Sequence, residues 1–309
     1  MNQKRIDISI VVPVYNSSES LSELFQRIQN EMSRLQLEFE IIFVDDASKD
    51  NSWEIIQKLK TEHAGTITGV RMARNTGQHL ALMCGFNFAK GNLLVTMDDD
   101  LQQSPEDIEK LIRKQSETSA DLVYGVYPKR SSTMMRKTGS YFIRKASKYT
   151  AQTIGEGSSF RLFNRNLVDK IRDHFHSFVF IDELVYWHTT EIETVEVSHS
   201  PRKSGKSGYS IFSLTKMFSD IVINYTAIPL RIMTWGGVTL SIISFLMGIW
   251  FILKKIFLKT TVPGFTATIV VVLFSTSILL ICMGIIGQYL YKIFNHQMGK
   301  PPYTIRKVI

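Results

Sequence analysis

The sequence predicts an α/β protein: a mostly parallel sheet with helices on both faces, followed by interfacial helices and two transmembrane helices. Three observations lead to this fold class. Short strands rich in β-branched residues alternate with amphipathic helical segments over roughly the first 125 residues. An acidic run directly follows the fourth of these strands. Two long apolar stretches, 230–253 and 267–290, occupy the last third of the chain.

Five strands are expected, and each ends in a polar turn. Between the first two, apolar residues recur at helical spacing from Leu21 to Leu35, which predicts an amphipathic crossover helix. Further helices are expected over Leu80–Ala89, before Gly91, and over Pro105–Glu117, where Ser104 is placed to cap the first turn. The expected strands are Asp7–Tyr15, Phe39–Asp45, Ile67–Met72, Leu93–Met97 and Asp121–Tyr127.

The two apolar stretches predict membrane spans. They contain no Asp, Glu or Lys, and Arg231 at the edge of the first is their only Arg. Each is long enough to cross a hydrocarbon core of roughly 30 Å, and runs of this length are rare in buried core helices, the alternative reading. Basic residues flank both outer ends of the hairpin, which predicts a multi-pass protein with both termini in the cytoplasm. The expected organisation is a cytoplasmic domain at 1–209, a juxtamembrane amphipathic helix at 210–229, spans at 230–253 and 267–290, and a cytoplasmic tail at 291–309.

The chain is basic, with a formal net charge of +8 and an isoelectric point near 9.3. The basic residues concentrate near the predicted spans rather than beside exposed aromatic residues, so we expect an anionic membrane surface as the partner and no nucleic acid. The segment Lys129–Lys148 has seven basic and no acidic residues; it is either a solvated helix face or a segment that lies on anionic lipid.

The acidic run Asp98, Asp99, Asp100, followed by Gln102, is the strongest indication of a site. Clustered carboxylates repel one another unless they share a cation, so the run predicts a hard-metal site for Mg²⁺ or Mn²⁺. A solvated surface turn is the alternative. The position of the run, between a buried-looking strand and a helix start, favours the site, because open α/β sheets bind ligands at the carboxyl ends of their strands.

Two other polar segments, Pro13–Asn16 and Asp45–Ser48, follow the first and second strands, so three strand ends should meet at one edge of the sheet. One carboxylate there can accept the imide and ribose hydrogens of a nucleotide while the acidic run holds a divalent ion against a diphosphate. The chain has no Gly-x-x-x-x-Gly-Lys-Ser/Thr loop and no Gly-x-Gly-x-x-Gly turn, which argues against a P-loop NTPase and a dinucleotide oxidoreductase.

These residues resemble family 2 glycosyltransferases of the GT-A, Rossmann-like fold. The trailing spans and the Pro229-Leu230-Arg231 sequence that leads into them are similar to the polyprenyl-phosphate glycosyltransferase branch. This branch includes dolichyl-phosphate mannose synthase, bactoprenol glucosyltransferase and undecaprenyl-phosphate aminoarabinose transferase. The motifs that carry the family resemblance are Val11-Val12-Pro13-Val14-Tyr15-Asn16, Val44-Asp45-Asp46-Ala47-Ser48-Lys49-Asp50, Arg74-Asn75-Thr76-Gly77-Gln78-His79 and the Asp-x-Asp-Leu-Gln core within Met97–Pro105.

The resemblance implies a membrane enzyme that moves one sugar, with inversion, from a nucleotide-sugar donor, UDP- rather than GDP-linked, to polyprenyl (undecaprenyl) phosphate for cell-surface glycan modification. The cytoplasmic face of a bacterial inner membrane is the implied location, and a homo-oligomer is compatible with it. The implied metal ligands are Asp98, Asp100 and Gln102. Donor-binding residues are expected to be Pro13, Tyr15, Asn16, Asp45, Asp46, Arg74, Asn75, His79, Asp98 and Asp99; catalytic ones Asp100, Arg161, Asp182 and Glu183; and acceptor-phosphate ligands Lys129, Arg130, Arg136, Arg161, Arg202 and Lys206. For His79 a helix cap, and for Arg74 a surface ion pair, is the alternative.

Two departures from the branch pattern matter. Where the branch has Gly-Asp-Phe-Arg, this chain has Ser159 in place of the Asp, and a hydroxyl cannot act as a carboxylate base. An acceptor phosphate is largely ionised at neutral pH, so it needs little proton removal; Arg161 is then an expected phosphate ligand and Asp182-Glu183 a replacement carboxylate, with a helix N-terminus as the alternative. The Gly-Glu-Ser-Lys-Tyr loop of the branch is Gly205-Lys206-Ser207-Gly208-Tyr209 here, and either closes over the diphosphate or is a linker.

Two other functions compete with the enzyme. A catalytically weak nucleotide-sugar-binding or scaffolding subunit would follow if Ser159 removes turnover while donor binding persists. A flippase is disfavoured, because two spans with no charge inside them offer no path for a polar headgroup.

Overall fold

The computed structural model of the protein describes residues 6–127, 158–173, 180–198, 228–258, 264–297 and 301–309. The chain forms two compact units: Met1–Lys206 together with Pro301–Ile309, and Ser207–Lys300. The expected juxtamembrane helix at 210–229 lies largely outside the described residues, and the basic segment Lys129–Lys148 lies wholly outside them.

The first unit is built on an eight-stranded sheet with the strand order β7-β5-β6-β4-β1-β2-β3-β8. Four strand pairs are parallel, and the pairs β4–β6, β5–β6 and β3–β8 are antiparallel, so the expected mostly parallel sheet is confirmed in its centre. The strands are β1 Ile8–Val14, β2 Phe39–Asp45, β3 Ile67–Met72, β4 Leu93–Thr96, β5 Leu122–Val126, β6 Arg161–Asn164, β7 Ile192–Glu196 and β8 Ile305–Val308.

Helices cover both faces of this sheet, as predicted. One core cluster packs α1, α2 and α4 against residues such as Ile8, Ile10 and Val12 of β1, and the other packs α3, α5 and α6 against Val11. The alternation along β1 follows from the two-residue repeat of a strand. The helices are α1 Leu21–Leu35, α2 Ser52–Glu62, α3 Gln78–Phe86, α4 Ile108–Thr118, α5 Arg165–Arg172 and α6 Ile181–His188, with a 3₁₀ turn at Pro105–Asp107.

The structure differs from the expected elements at several boundaries. α3 begins at Gln78 and ends at Phe86, before the expected Ala89. Gly91 instead starts the approach to β4, where a Cβ would lie 2.6 Å from the backbone nitrogen of Ser9. Ser104 makes no side-chain cap. Strands β6, β7 and β8 were not predicted, because each has only four or five residues and none has a long apolar run.

Part of the expected C-terminal tail is a strand of the sheet. β8 pairs antiparallel with β3, in the register Val70↔Val308 and Arg71↔Lys307. The amide of Ala73 donates to the carbonyl of Thr304 at 2.8 Å, next to this ladder. The last nine residues therefore belong to the first unit.

The second unit contains two long helices, α7 Ile228–Leu258 and α8 Phe265–Gln297. Within the described part of the chain, one segment has the length and hydropathy of a membrane span: Phe274–Tyr291 in α8, with a mean hydropathy of 1.5 and none of it buried in the protein. The second expected span thus coincides with a candidate membrane helix, whereas the first stays a prediction.

Candidate active site

The expected crevice lies between β1 and β4, where the chain order of the sheet reverses. Parallel pairing of these strands ends at Val11↔Thr96, while β1 continues beside β2 as far as Val14. Pro13 is buried in this last part of β1, where its missing N–H faces the side without a β4 partner. The strands separate at their carboxyl ends, which is where doubly wound sheets bind ligands.

Asp98 is enclosed by side-chain donors. Its Oδ1 accepts from Gln78 Nε2 at 2.6 Å, and its Oδ2 accepts from Ser159 Oγ at 2.5 Å and Gln103 Nε2 at 3.0 Å. The amide of Asp98 in turn donates to Gln103 Oε1 at 2.9 Å. Burial raises the pKa of Asp98, the bond from Ser159 opposes this, and the charge of Asp100 adds to it. Both oxygens accept hydrogen bonds from described side chains, so these donors orient the Asp98 carboxylate.

Asp99 turns toward the loop after β1. Its Oδ2 accepts from the backbone amide of Tyr15 at 3.1 Å, and its carbonyl accepts from Ser20 Oγ at 2.5 Å. Burial raises the pKa of Asp99 to about 6, hydrogen bonds oppose this, and the charges of Asp98 and Asp100 contribute. The carboxylate therefore fixes the loop that closes one side of the crevice.

Asp100 is half-buried, and the amide of Gln102 donates to its Oδ1 at 3.1 Å. Leu101 between them has a φ of 62°, so the chain turns sharply there. No set of three His, Cys, Asp or Glu side chains in the described ranges could hold a metal ion. One or two carboxylates are nevertheless what Mg²⁺ takes from a protein when substrate phosphates and water complete its shell. Burial is the main cause of the raised pKa values of Asp98 and Asp99, and the neighbouring carboxylates add to it. A cation at this position would offset that repulsion.

Asp45 ends β2 with a fully buried carboxylate. Its Oδ1 accepts from the amide of Ser48 at 3.0 Å, while its Oδ2 has no hydrogen-bond partner. Arg71 Nε lies 3.2 Å from Oδ2 without forming a hydrogen bond. A buried acceptor without a hydrogen bond is unusual, and a donor group of a nucleoside could complete it.

Asp46, also expected to bind the donor, holds a loop instead. Its carboxylate accepts from the amides of Thr76 and Gly77, both at 2.8 Å, and from Thr76 Oγ1 at 3.2 Å. Gly77 has a φ of 92°, which only glycine adopts without strain. Asp46 thus fixes the loop that carries the exposed residues Arg74 and Asn75, and its donor-binding role stays a prediction.

Tyr15 and Asn16 form the loop after β1 and are exposed. Asn16 has a φ of 54°, and its amide donates to Ser48 Oγ at 3.0 Å. Its side-chain oxygen accepts from the amide of Lys49 at 2.8 Å. The loops after β1 and β2 are thus joined into one wall of the crevice.

Arg161 and Asp182 form a buried ion pair. Nε donates to Oδ1 at 3.0 Å and Nη2 to Oδ2 at 2.9 Å, and the hydroxyl of Tyr124 donates to the same Oδ1 at 2.7 Å. The guanidinium also lies over the ring of Tyr124, 5.7 Å from its centroid. Arg161 is 3% exposed, so in this arrangement it is not presented to an acceptor phosphate, and Asp182 has no oxygen without a partner to act as a base. The structure therefore shows the two side chains bonded to each other, and their roles in the reaction stay predictions.

His79 lies in the first turn of α3, with its ring 4.8 Å from that of Phe180. Its Nδ1 is 3.5 Å from the amide of Ile181, which donates to it. Burial lowers the pKa of His79 to about 4, and the charge of Arg161 contributes, so the ring is neutral at neutral pH. It therefore packs α3 against α6 without carrying a charge.

The remaining expected residues divide into two groups. Glu183, in the first turn of α6, is half-buried, and burial raises its pKa. Five expected acceptor-phosphate ligands lie outside the described residues: Lys129, Arg130, Arg136, Arg202 and Lys206.

Sequence reasoning missed the residues that orient the site. Gln78 and Gln103 fix Asp98, and Arg71 stands beside Asp45. Gln103 is 2% exposed. A pair of glutamines directly after an acidic run, and an arginine within an apolar strand, were the signals that could have indicated them.

Residues 9–179 match the family described as Glycosyl transferase family 2. Over 306 residues the chain is 32% identical to the undecaprenyl-phosphate 4-deoxy-4-formamido-L-arabinose transferase of Proteus mirabilis (strain HI4320), covering 98% of this chain and 94% of that relative. The protein of the same name from Yersinia enterocolitica (serotype O:8 / biotype 1B) is 32% identical over 312 residues, covering 100% and 95%.

Solved structures share the fold. Glucosyl-3-phosphoglycerate synthase from Mycobacterium tuberculosis, solved with Mn²⁺, uridine diphosphate and phosphoglyceric acid, aligns with a TM-score of 0.51 at 16% identity, covering 71% of this chain and 76% of that one. A mannosyltransferase from Pyrobaculum calidifontis, solved with GDP-Man and Mn²⁺, aligns with a TM-score of 0.50 at 17% identity, covering 74% and 65%. The α/β GT-A-like fold is thereby established.

Proposed function

This chain belongs to glycosyl transferase family 2, and we propose that it transfers one sugar from a nucleotide donor to undecaprenyl phosphate at the cytoplasmic face of a bacterial inner membrane. The similarity to undecaprenyl-phosphate transferases extends over nearly the whole of both chains, so it includes the membrane segment as well as the sheet. The observation that carries the proposal is the crevice, where the acidic run and an open buried carboxylate on Asp45 meet at the carboxyl ends of β4 and β2.

We propose a UDP-linked donor. The amide of Ser48 donates to Oδ1 of Asp45, so Oδ2 is the oxygen without a hydrogen bond, and it lies beside the guanidinium of Arg71. Uracil offers one imide N–H between two carbonyl oxygens, whereas guanine offers two donor groups side by side. A single acceptor next to a cation suits the uracil edge. Arg74 and Asn75, exposed on the loop that Asp46 holds, are the side chains proposed to contact the diphosphate.

Asp100 is proposed to hold the divalent metal, Mg²⁺ or Mn²⁺, with Gln102 beside it and Asp98 behind it. When bound, the metal supplies positive charge to the leaving diphosphate. The carboxylates of this chain serve to bind and orient: Gln78, Gln103 and Ser159 fix Asp98, and Tyr15 fixes Asp99.

The reaction is proposed as a single displacement. A phosphate oxygen of the acceptor forms a bond to the anomeric carbon as the bond from that carbon to the diphosphate oxygen breaks, which inverts the centre. Because the second pKa of a phosphate monoester is near 6, the nucleophile is already ionised at pH 7, and no carboxylate base is needed where Ser159 stands. Ser159 instead donates to Asp98. Arg161 and Asp182 are proposed to keep β6 and α6 in place beside the site.

The C-terminal strand supports two membrane crossings. The chain leaves the sheet-containing unit after β7 and rejoins it at β8, which hydrogen-bonds to β3. A segment attached at both ends to one folded unit must cross a membrane an even number of times. We propose that α7 and α8 provide the two spans, and that the excess of basic residues outside the hairpin places both termini in the cytoplasm.

A transfer assay tests the function. The purified full chain is incubated with undecaprenyl phosphate, Mg²⁺ or Mn²⁺ and a panel of radiolabelled UDP- and GDP-sugars, and lipid-extractable label is measured. We expect a metal-dependent product from a UDP-sugar. Asp100→Asn should abolish it, whereas Asp173→Asn, a change at a 74% exposed carboxylate at the end of α5, should not. Donor binding without transfer by the unsubstituted chain would favour the scaffolding alternative. Light scattering of the detergent-solubilised chain measures whether it forms a homo-oligomer.

A further inference from the structure

Asp45 and Arg71 stand opposite each other in the β2–β3 ladder. The parallel register pairs the two residues directly, and Arg71 Nε lies 3.2 Å from Asp45 Oδ2. Asp45 is fully buried, while the Arg71 side chain is 25% exposed. The arginine thus reaches the carboxylate from the solvent side of the crevice.

Arg71 is held in this position by groups other than Asp45. Its guanidinium carbon lies 5.6 Å from the centroid of the Trp53 ring, and its Nη2 donates to the carbonyl of Ser48 at 3.5 Å. Trp53 is buried at the start of α2 and so gives the guanidinium a fixed surface to rest on. These contacts orient the guanidinium beside Asp45 without a hydrogen bond to its Oδ2.

A purely structural ion pair would have a different geometry. Buried arginine–carboxylate pairs are commonly bidentate, as Arg161 and Asp182 are in this protein. Here Asp45 Oδ2 is fully buried and has no hydrogen bond within the described residues. A buried acceptor of this kind lowers the stability of the fold unless a ligand donates a hydrogen bond to it. The pair is therefore arranged for a third group to join it.

The other charges around Asp45 are few. Asp50, in the loop after β2, acts on it unfavourably, and Arg71 acts favourably from β3. Asp46, the next residue, is turned to the amides of Thr76 and Gly77. On β1 the register partner is Val14, which is uncharged. Burial raises the pKa of Asp45, and the bonds from Ser48 and the charge of Arg71 oppose that increase.

We infer that Arg71 is a positioning residue for the nucleoside: it keeps the open oxygen of Asp45 as a charged acceptor for an N–H or O–H group of the donor. This inference rests on the proposed function. Arg71 of β3 would then affect donor binding indirectly, through the charge of Asp45. Its consequence is that donor affinity becomes dependent on pH when the cation is removed, because the unsupported carboxylate takes up a proton and then cannot accept a hydrogen bond.

The test measures UDP binding to the detergent-solubilised full chain by calorimetry in the presence of Mg²⁺, at pH 6.0 and pH 8.5. Three variants of Arg71 are compared. Arg71→Met keeps the contact with Trp53, and Arg71→Gln keeps a side-chain hydrogen-bond donor. Arg71→Lys keeps the positive charge. Arg113→Met is the matched control, because among the described residues Arg113 forms its ion pair with Glu117, on the exposed face of α4. Each dissociation constant is divided by that of the unsubstituted chain at the same pH, which removes the titration of UDP itself.

We expect Arg71→Met and Arg71→Gln to weaken UDP binding severalfold more at pH 6.0 than at pH 8.5, because a higher pKa leaves more of the Asp45 carboxyl group protonated at the lower pH. Arg71→Lys and Arg113→Met should stay within about twofold of the unsubstituted chain at both values. Inorganic diphosphate, which lacks the nucleoside, should bind all variants equally. Equal weakening at the two pH values, or none, overturns the inference, because a structural role predicts no pH dependence.

Failure of the proposed function gives a different result. In that case the unsubstituted chain binds no nucleotide, and no ratio of dissociation constants can be measured for any variant. Measurable UDP binding by the unsubstituted chain with a flat profile in both Arg71→Met and Arg71→Gln rejects the role of Arg71 alone. Circular dichroism of each variant confirms that the fold is retained.

Discussion

Ser159 Oγ donates a hydrogen bond of 2.5 Å to Asp98 Oδ2, which joins the start of β6 to the acidic run after β4. Gln103 Nε2 contacts both groups, at 2.6 Å from Ser159 and 3.0 Å from Asp98. Ser159 stands where the related branch has a carboxylate, and it supplies a hydrogen-bond donor to Asp98 instead. A second carboxylate at this distance from Asp98 would meet like charge unless it shared a proton or a cation.

We expect Ser159→Ala to reduce transfer only modestly. It removes one of three donors to Asp98, and a single hydrogen bond is worth about 1 kcal/mol, so kcat should fall by less than about tenfold. Loss of a general base would instead lower it by about 10²- to 10⁴-fold. Steady-state kinetics with saturating donor and acceptor checks this. A fall of several hundredfold, in a variant whose donor affinity is unchanged, would show that the hydroxyl takes part in proton transfer.

Arg161→Met should strongly destabilise the first unit. The change leaves Asp182 half-buried without its guanidinium partner, and breaking such a pair costs about 3–5 kcal/mol. Thermal unfolding of the purified chain measures the effect as a lower Tm. Asp182→Asn should act in the same direction, and the double variant should lose less than the sum of the two because no charge is left unpaired.

Arg113→Met is the control for that experiment. Arg113 and Glu117 are 80% and 55% exposed, and a surface pair of this kind contributes about 0.2–1 kcal/mol. If Arg161→Met lowered Tm no more than Arg113→Met does, the buried pair would not be holding β6 against α6.

Asp99 should make the stability of the fold depend on pH when no divalent cation is present. Its pKa is raised by burial to about 6, above the ordinary value of 3.8, so its protonated form is favoured in the folded state. The stability linked to this group is therefore present in full below about pH 4 and is lost as pH rises through about 6. Asp99→Asn should show a smaller decrease of Tm between pH 4 and pH 7 in EDTA than the unsubstituted chain.

Added Mg²⁺ should reduce that difference, because a cation beside Asp100 offsets the repulsion among the three carboxylates. Identical pH profiles for Asp99→Asn and the unsubstituted chain, with and without Mg²⁺, would contradict this account.

The C-terminal strand should protect the edge of β3. The amides of Gly69 and Ala73 donate to the carbonyls of Ile309 and Thr304, so a chain that ends at Lys300 should exchange these hydrogens faster. Hydrogen exchange with mass spectrometry measures this. Gly69→Ala should have a similar effect, because the new Cβ would lie 2.8 Å from side-chain atoms of Ile309 and Ile56. Adding Ile309→Ala to Gly69→Ala removes one of these clashes and should restore part of the protection.

Cysteine labelling tests the two crossings. A single cysteine is placed at Lys307, and in a second variant in the segment 259–263 between α7 and α8, after Cys84 and Cys282 are changed to Ser. A membrane-impermeant maleimide should label the 259–263 variant in cells with a permeabilised outer membrane, and the Lys307 variant only in inverted inner-membrane vesicles. Labelling of both from the same side would exclude the proposed topology.

The sequence by itself determined the central sheet and its site edge. The β-branched runs give β2 and β3 their observed bounds, and the acidic run and Asp45 lie at the carboxyl ends of β4 and β2, the two strands that flank β1. This was possible because buried parallel strands and crossover helices have strong local periodicities, and because strand order constrains where their ends meet. Polar residues at those ends could thus be grouped without coordinates.

Only the tertiary structure decided which of these side chains have hydrogen-bond partners within the described residues. Asp45 and Asp46 are neighbours of the same type, yet Asp45 keeps an oxygen without a hydrogen bond while Asp46 is used by Thr76 and Gly77, about 30 residues away along the chain. Likewise Arg161 and Asp182 satisfy each other across 21 positions, and β8 joins β3 from the far end of the chain. Hydrogen bonds between distant residues depend on how the helices and strands pack, so the local sequence around a residue does not identify its partner.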